Sequence, residues 1–544
     1  MRDTVTLKTT EATRTATVPS IDEIIIGKDV LELVSSAMYV DPLTVYREYV
    51  QNAADAIDEA RVHGLLKPGA AGKVGIEIDN DARRVKIRDN GTGLPWAEFA
   101  KRLTALGGSA KRGGAARGFR GVGRLAGLGY SQQLVFRSRV PGEKFVSQLA
   151  WDCKALRAAL RSVDEDEDVA HLIRRLVSLA RVSADGYPEH FFEVEMNGVV
   201  RLRSDKLMSA AVVAEYLSEV APVPFAPDFP FAAEICEALK SEVGLGDLEI
   251  RVSGTAEPVY RPHRKGFFDD KRKCSFKDVE IFKIPNVDGD VAAVGWVLHH
   301  EYDGAIPSGT GFKGLRLRGG NVQIGGNSLL EELFTETRFN SWSIGEIHVL
   351  DRRIVPNARR DDFEQNAHYS NLVNQLSPIA RSISKRCRTS SKQRQLLRQF
   401  RIHEESVTER IDILAQGSIR RDARKAQVAG AESSLARMAR LVQRNELGED
   451  SPKLSSKIDR LRDRISGLTK DGEDSPLALL PPKKRSEYGH MFELIYDCSA
   501  NRVAAKALVD RILERVQELY AVKPRTFKTT KGRPVKGKRR NNRR

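Results

Sequence analysis

Several features that would narrow the class of this 544-residue sequence are missing from it. No apolar run approaches the roughly 20 residues needed to span a bilayer. The N-terminus, MRDTVTLKTTEATRTATVPS, lacks the apolar stretch of a secretory signal. Five cysteines (Cys153, Cys236, Cys274, Cys387, Cys498) lie far apart, with no C-x-x-C pair and no clustered histidines. That scarcity argues against a disulfide framework or a structural zinc site and suits a reducing cytoplasm. No G-x4-G-K-[ST] occurs, so there is no Walker P-loop, and Gly121, Gly123 and Gly127 are spaced one residue too long for a dinucleotide fingerprint.

The residues present describe a globular protein: 41% hydrophobic, 30% charged, and long enough for roughly three domains. The net charge of +16 is uneven, because residues 523–544 hold eleven Lys or Arg and no acid. Such a tail is expected to be disordered, and it could bind nucleic acid by neutralising phosphates or simply aid solubility. Residues 1–205 and 206–375 each mix helix and strand patterns. In the first, VGIEI and RVKIRD alternate around Asn80-Asp81, which reads as a hairpin. In the second, LEIRVSG, AAVGWVLHH, GLRLRGGNVQI and IGEIHVLDRRIV read as strands. Residues 376–522 are helical in texture. There Leu454, Ile458, Leu461, Ile465 and Leu468 form one apolar stripe, and a last helix is expected from about 487 to 522.

Three stretches of the first zone carry candidate chemistry. YREYVQNAADAIDEAR reads as a helix started by Asp41-Pro42, with Glu48, Asn52 and Asp55 within about 60° of one another on one face. Taken alone, it is an amphipathic helix with a solvated stripe. Asp89-Asn90-Gly91-Thr92-Gly93 ends a strand in a turn, where an exposed Asp89 carboxylate could accept a hydrogen bond from an exocyclic amine. The run from Gly107 to Gly129 holds nine glycines in 23 residues and reads as a mobile loop feeding a helix N-terminus. Lys111, Arg112, Arg117, Arg120 and Arg124 add positive charge, and phosphate binding is the favoured reading over a plain linker.

In this order, E-x3-N-x2-D-A, D-x-G-x-G and G-x2-G-x-G resemble the Bergerat-fold ATPases of the GHKL superfamily. The likeness is nearest to the heat shock protein 90 branch and covers about residues 20–370; GFRG itself also looks like MutL-type repair proteins. The resemblance implies that Glu48 is the general base and that Asn52 is the Mg²⁺ ligand. It implies that Asp89 recognises the adenine amino group with help from Gly93, and that Gly118, Gly121 and Gly123 cradle phosphates. Ser109 and Lys111 would lie in a lid, Asp55 would steady the pocket, and Gly91 and Val122 complete the nucleotide-binding set. The family often carries a threonine on a late strand of this domain, and EHFFEVEMNG has none.

A second likeness lies in GEIHVLDRRIVPNARRDDFEQ, which is similar to the heat shock protein 90 middle domain. In register, Asn357, Arg360 and Asp361 match that family's Asn, Arg and acid, and Arg359 replaces a small residue, so either arginine could reach the γ-phosphate. The expectation is an α+β protein: a Bergerat-type α/β sandwich, an α/β middle domain, a helical region, and a disordered basic tail. Its expected activity is ATP hydrolysis with Mg²⁺ in a homodimeric molecular clamp, cytoplasmic and with no membrane contact. The client is a protein, as for a chaperone, or DNA, as for a MutL-like or MORC-like clamp. An ATP-dependent scaffold without significant hydrolysis is a further alternative.

Overall fold

The computed structural model describes residues 28, 31, 41–106, 123–162, 168–202, 204–240, 242–243, 248–269, 272–470 and 476–521. They divide into two compact units, Met1–Cys387 and Arg388–Arg544.

In the first unit, seven strands make one sheet: β1 (Gly72–Asp79), β2 (Arg84–Asp89), β3 (Gln133–Arg139), β4 (Phe145–Asp152), β5 (Val177–Ser183), β6 (Phe191–Asn197) and β7 (Leu248–Val252). Their order is β5-β4-β3-β6-β2-β1-β7. Every pairing is antiparallel except β1 with β7. The β1–β2 hairpin forms where the alternation predicts it. Its loop holds four residues rather than two, since Asp79 pairs with Arg84. Arg83 takes a left-handed φ of 47° there. That placement is stabilised from outside the hairpin, by two hydrogen bonds to Asp205 (2.8 and 3.0 Å) and one to the Val199 carbonyl (2.7 Å).

Helices α1 (Thr44–Val62), α2 (Trp96–Thr104), α3 (Cys153–Arg161), α4 (Val169–Leu176) and α5 (Ala210–Val220) belong to this unit. Tyr46, Tyr49, Val50 and Ile57 of α1 pack with Ile76, Ile87, Phe136 and Met196 of the sheet. Leu217 of α5 and Ile250 of β7 join the same core, so the sheet and its cover run past residue 205. Burying side chains of this size contributes about 1.5–3 kcal/mol each.

A second sheet takes β10 (Asp278–Pro285), β11 (Val291–His299), β12 (Gly314–Gly319), β13 (Val322–Ile324) and β14 (Ile344–Val349) in the order β10-β11-β14-β12-β13, while β8 (Gly266–Asp269) and β9 (Arg272–Ser275) form a separate hairpin. Helix α6 (Ala232–Leu239) packs on one side of this sheet. On the other, Leu372, Leu376 and Ile383 of α7 (Ala367–Gln416) pack against Leu317 and Ile347.

The second unit is helical: the later part of α7, then α8 (Arg421–Val442), α9 (Ser451–Lys470), α10 (Pro482–Cys498) and α11 (Arg502–Ala521). The stripe on α9 is real, since Ile458, Leu461 and Ile465 are buried against Leu435 and Met438. The single last helix expected from 487 is instead two, because Asn501 caps a new start by accepting from the Ala504 N–H at 3.1 Å. The basic tail 523–544 lies outside the described residues.

Candidate functional site

The polar stripe of α1 faces inward. Asp41 starts the helix by accepting the Leu43 N–H on its side chain (3.1 Å) and the Thr44 N–H on its carbonyl (3.1 Å). Glu48 is 4% exposed and Asp55 8%, so two carboxylates of the three-residue stripe are buried, which a solvated face would not do. Asn52, between them on the same face, is half-buried.

Small residues let the next element come close. The Thr92 N–H donates to the Ala56 carbonyl at 3.2 Å, docking the D-x-G-x-G turn on α1. A Cβ on Gly91 would stand 2.6 Å from the Ala56 Cβ and 2.9 Å from Asp89 Oδ1. Gly93 has φ +72°, and a Cβ there would collide with the Arg139 carbonyl oxygen. Asp89 is buried rather than exposed: it ends the central strand β2 between Val74 of β1 and Phe192 of β6, and the turn closes over it. One of its oxygens accepts the Gly91 N–H at 2.8 Å. Burial pushes its pKa up to about 7, opposed by the Gly91 and Phe192 backbone N–H groups.

The described part of the glycine-rich run is the 3₁₀ helix Gly123–Gly129, and it lies directly on α1. A Cβ on Gly123 would run into the Glu48 carboxylate, and one on Gly127 would meet the Tyr49 hydroxyl. That hydroxyl accepts the Gly127 N–H at 2.9 Å and donates to the Arg124 carbonyl at 3.3 Å. Arg124 itself donates to the Ala105 carbonyl at 2.9 Å, and burial, then neighbouring Arg102, pulls its pKa below the ordinary value. Ser109, Lys111, Gly118, Gly121 and Val122 lie outside the described residues.

The second sheet supplies a cation. After β14 the chain turns through residues 357–362, flanked by an antiparallel bridge between Pro356 and Phe363. Asn357 fastens the turn by donating to Asp361 Oδ1 at 2.6 Å. Arg360, with a left-handed φ of 58°, places its Nη1 3.4 Å from Glu48 Oε2. Arg47 lies 3.3 Å from Glu48 Oε1 and also donates to the Arg359 carbonyl at 3.1 Å. The two arginines therefore differ: Arg360 offers its guanidinium to Glu48, whereas Arg359 offers a backbone oxygen and its side chain is exposed.

Three contributors were not visible to motif reading. Arg47 precedes the motif glutamate and joins it to the arginine loop. Ser138 on β3 accepts the Leu94 N–H at 2.6 Å, and His190 Nδ1 stands 2.8 Å from the Gly91 carbonyl, so both hold the turn. Only their distant partners give them meaning, and no local pattern announces them.

The arrangement joins a buried carboxyl on a strand end, a half-buried amide, a second buried carboxylate and a guanidinium from the loop after β14. Among the described residues no three His, Cys, Asp or Glu side chains gather to hold a metal ion. Asn52 offers an amide oxygen on this face, a ligand type that magnesium beside a nucleotide takes together with phosphate and water oxygens.

A family model described as Histidine kinase-, DNA gyrase B-, and HSP90-like ATPase matches residues 42–176, the segment carrying Glu48, Asn52, Asp55, Asp89 and the glycine-rich run, whereas Asp41, His190, β6 and the arginine loop lie outside it. The chain is 25% identical over 198 residues to the chaperone protein HtpG of Chromobacterium violaceum, covering 33% of this chain and 30% of that protein. It is 30% identical over 137 residues to the chaperone protein HtpG of Anaplasma marginale, covering 22% of this chain and 21% of that one. The chain thus spans less than a third of the length of these curated relatives.

Proposed function

We propose that this chain, whose residues 42–176 form a domain of the histidine kinase-, DNA gyrase B- and HSP90-like ATPases, binds ATP and hydrolyses it with Glu48 as base and Arg360 as phosphate partner. The observation that carries this reading is the meeting of Glu48 on helix α1 and Arg360 in the loop after β14 at 3.4 Å, more than three hundred positions apart in sequence.

The adenine amino group is received by Asp89, as a carboxylate once its proton has left, with Gly91 and Gly93 allowing the base to approach the backbone. Glu48 orients the attacking water and takes its proton. In the arrangement described, the two Glu48 oxygens face guanidiniums at 3.3 and 3.4 Å, where an attacking water would have to stand. A γ-phosphate arriving beside the pair competes for Arg360, and moving that guanidinium to the phosphate both frees Glu48 and neutralises charge that builds in the transition state. Asn52 would hold magnesium from the protein side, and the ion would supply positive charge to the phosphates. On the same reading Gly118, Gly121 and Gly123 serve the phosphates, Ser109 and Lys111 belong to the lid, Val122 completes the nucleotide-binding set, and Asp55 supports the pocket floor.

Domain closure around ATP makes the molecule a clamp that pairs with a second copy and works in the cytoplasm, and a protein client accords with relatives named chaperone protein. The eleven cations of residues 523–544 favour a polyanion such as DNA as one thing the clamp could hold. Deleting those residues and measuring salt-dependent DNA affinity tests that second reading. For the first, Arg360→Ala should slow phosphate release from ATP by about 100-fold with nucleotide affinity unchanged within twofold. Normal turnover would remove Arg360 from the mechanism, and a parallel loss of affinity would make it a binding residue only.

A further inference from the structure

The arginine loop is held from behind by a run of hydrogen bonds that begins in the ATPase-type core. Gly325, just after β13, donates its N–H to the Arg360 carbonyl at 3.0 Å. It sits at φ +70°, and a Cβ there would stand 2.7 Å from the Asp361 carbonyl oxygen, so glycine is what lets the loop approach. Gln323 on β13, 5% exposed, donates Nε2 to the Gly325 carbonyl at 3.0 Å. Its Oε1 accepts from Arg316 Nη1 at 2.9 Å, and the same nitrogen donates to Glu219 Oε2 of α5 at 2.8 Å. Helix α5 packs its Val213, Leu217 and Val220 in the core that contains Val45 and Tyr46 of α1.

Simple adhesion between α5 and the second sheet does not require this run. Arg318 already donates to the Glu219 and Ala221 carbonyls (2.7 and 3.4 Å), and Arg261 to the Val223 carbonyl (3.0 Å). Those contacts end at Glu346 inside the sheet, whereas the Arg316–Gln323 branch ends at the loop bearing Arg360.

We propose that Arg316 and Gln323 are positioning residues for Arg360. The run Glu219–Arg316–Gln323–Gly325–Arg360 reports the placement of α5, and with it the nucleotide-binding core, to the arginine loop. Hydrolysis is then fast only while α5 and the second sheet keep this register. The inference rests on the phosphate role of Arg360 argued above.

The test uses the full chain with ATP and magnesium. Gln323→Met keeps the side chain's shape and removes both hydrogen bonds; Gln323→Glu keeps the acceptor for Arg316 but loses the donor to Gly325. Both should lower kcat by about tenfold, the scale of a misplaced catalytic group, with KM and ATP affinity within twofold. Amide exchange at Gly325 should rise in both, while the rest of the second sheet stays protected, which shows that the variants fold. In an Arg360→Ala background, Gln323→Met should add nothing, because the group being positioned is gone. Unchanged kcat in both variants would overturn the proposal, as would a tenfold loss that persists fully in the Arg360→Ala background. Normal turnover by Arg360→Ala alone would overturn both readings, and it is distinguishable because it needs no change at Gln323.

Discussion

Glu48 on α1 and Glu346 on β14 each lie buried between two arginines, yet their distances set them apart. Glu346 holds Arg318 at 2.7 Å and Arg261 in a direct pair, and both guanidiniums find further oxygens, including the Asn321 carbonyl at 3.0 Å from Arg318. Burial pushes the Glu346 pKa up, but Arg261 and Arg318 outweigh it and hold the carboxyl far below its usual range. Glu48 meets Arg47 and Arg360 at 3.3 and 3.4 Å, and among the described residues Arg360 Nη1 donates no hydrogen bond. A saturated pair fixes structure, whereas an incompletely satisfied one can exchange partners when a stronger anion arrives. Asp89 completes the contrast as a buried carboxyl whose shift is set by burial and two backbone N–H groups, with no arginine among the causes.

Breaking the tight cluster should have the largest effect. Glu346→Gln leaves Arg261 and Arg318 buried without their anion and should cost about 3–5 kcal/mol, whereas Glu48→Gln should cost about 1 kcal/mol or less. Urea unfolding of the two variants measures the difference; equal losses would erase the distinction between structural and exchangeable pairs.

Next in size is a pH effect at Asp89. Because its pKa is raised to about 7, the folded chain holds this proton more tightly than the unfolded chain does. The associated stability is complete below about pH 4 and is lost as the pH rises through about 7. With Asp89 receiving the adenine amine as proposed, recognition would need the carboxylate, so ATP affinity should run the other way, weakening about tenfold per pH unit below 7 and levelling above it. Calorimetric titration between pH 5.5 and 8 checks this, and Asp89→Asn should bind weakly with no such slope.

The smallest effect sharpens the contrast between neighbours. Arg359→Ala keeps the backbone carbonyl that Arg47 uses, so turnover should change less than about twofold. A loss as large as that of Arg360→Ala would return the phosphate role to both arginines.

Much of this was readable in advance where periodicity or motif spacing is local. The stripe Glu48, Asn52, Asp55 follows from 3.6 residues per turn, and the hairpin of β1 and β2 from alternation. Burial of Asp89 was not readable, because it depends on β6, whose residues lie a hundred positions later. The parallel pairing of β7 with β1 is equally non-local, and so is the place of α5 in the first core. The split at Asn501 was missed because one capping side chain decides it within an otherwise helical pattern. The arginine loop could be aligned by its residues, but which of its two arginines turns inward depends on the left-handed backbone at Arg360.

The central claim is that Glu48 activates water for ATP hydrolysis, and single-turnover hydrolysis by Glu48→Gln tests it most directly. With ATP binding shown independently and magnesium present, the rate constant should fall by at least about 100-fold while ATP affinity stays within threefold of the unaltered chain. A rate constant equal to that of the unaltered chain would contradict the account.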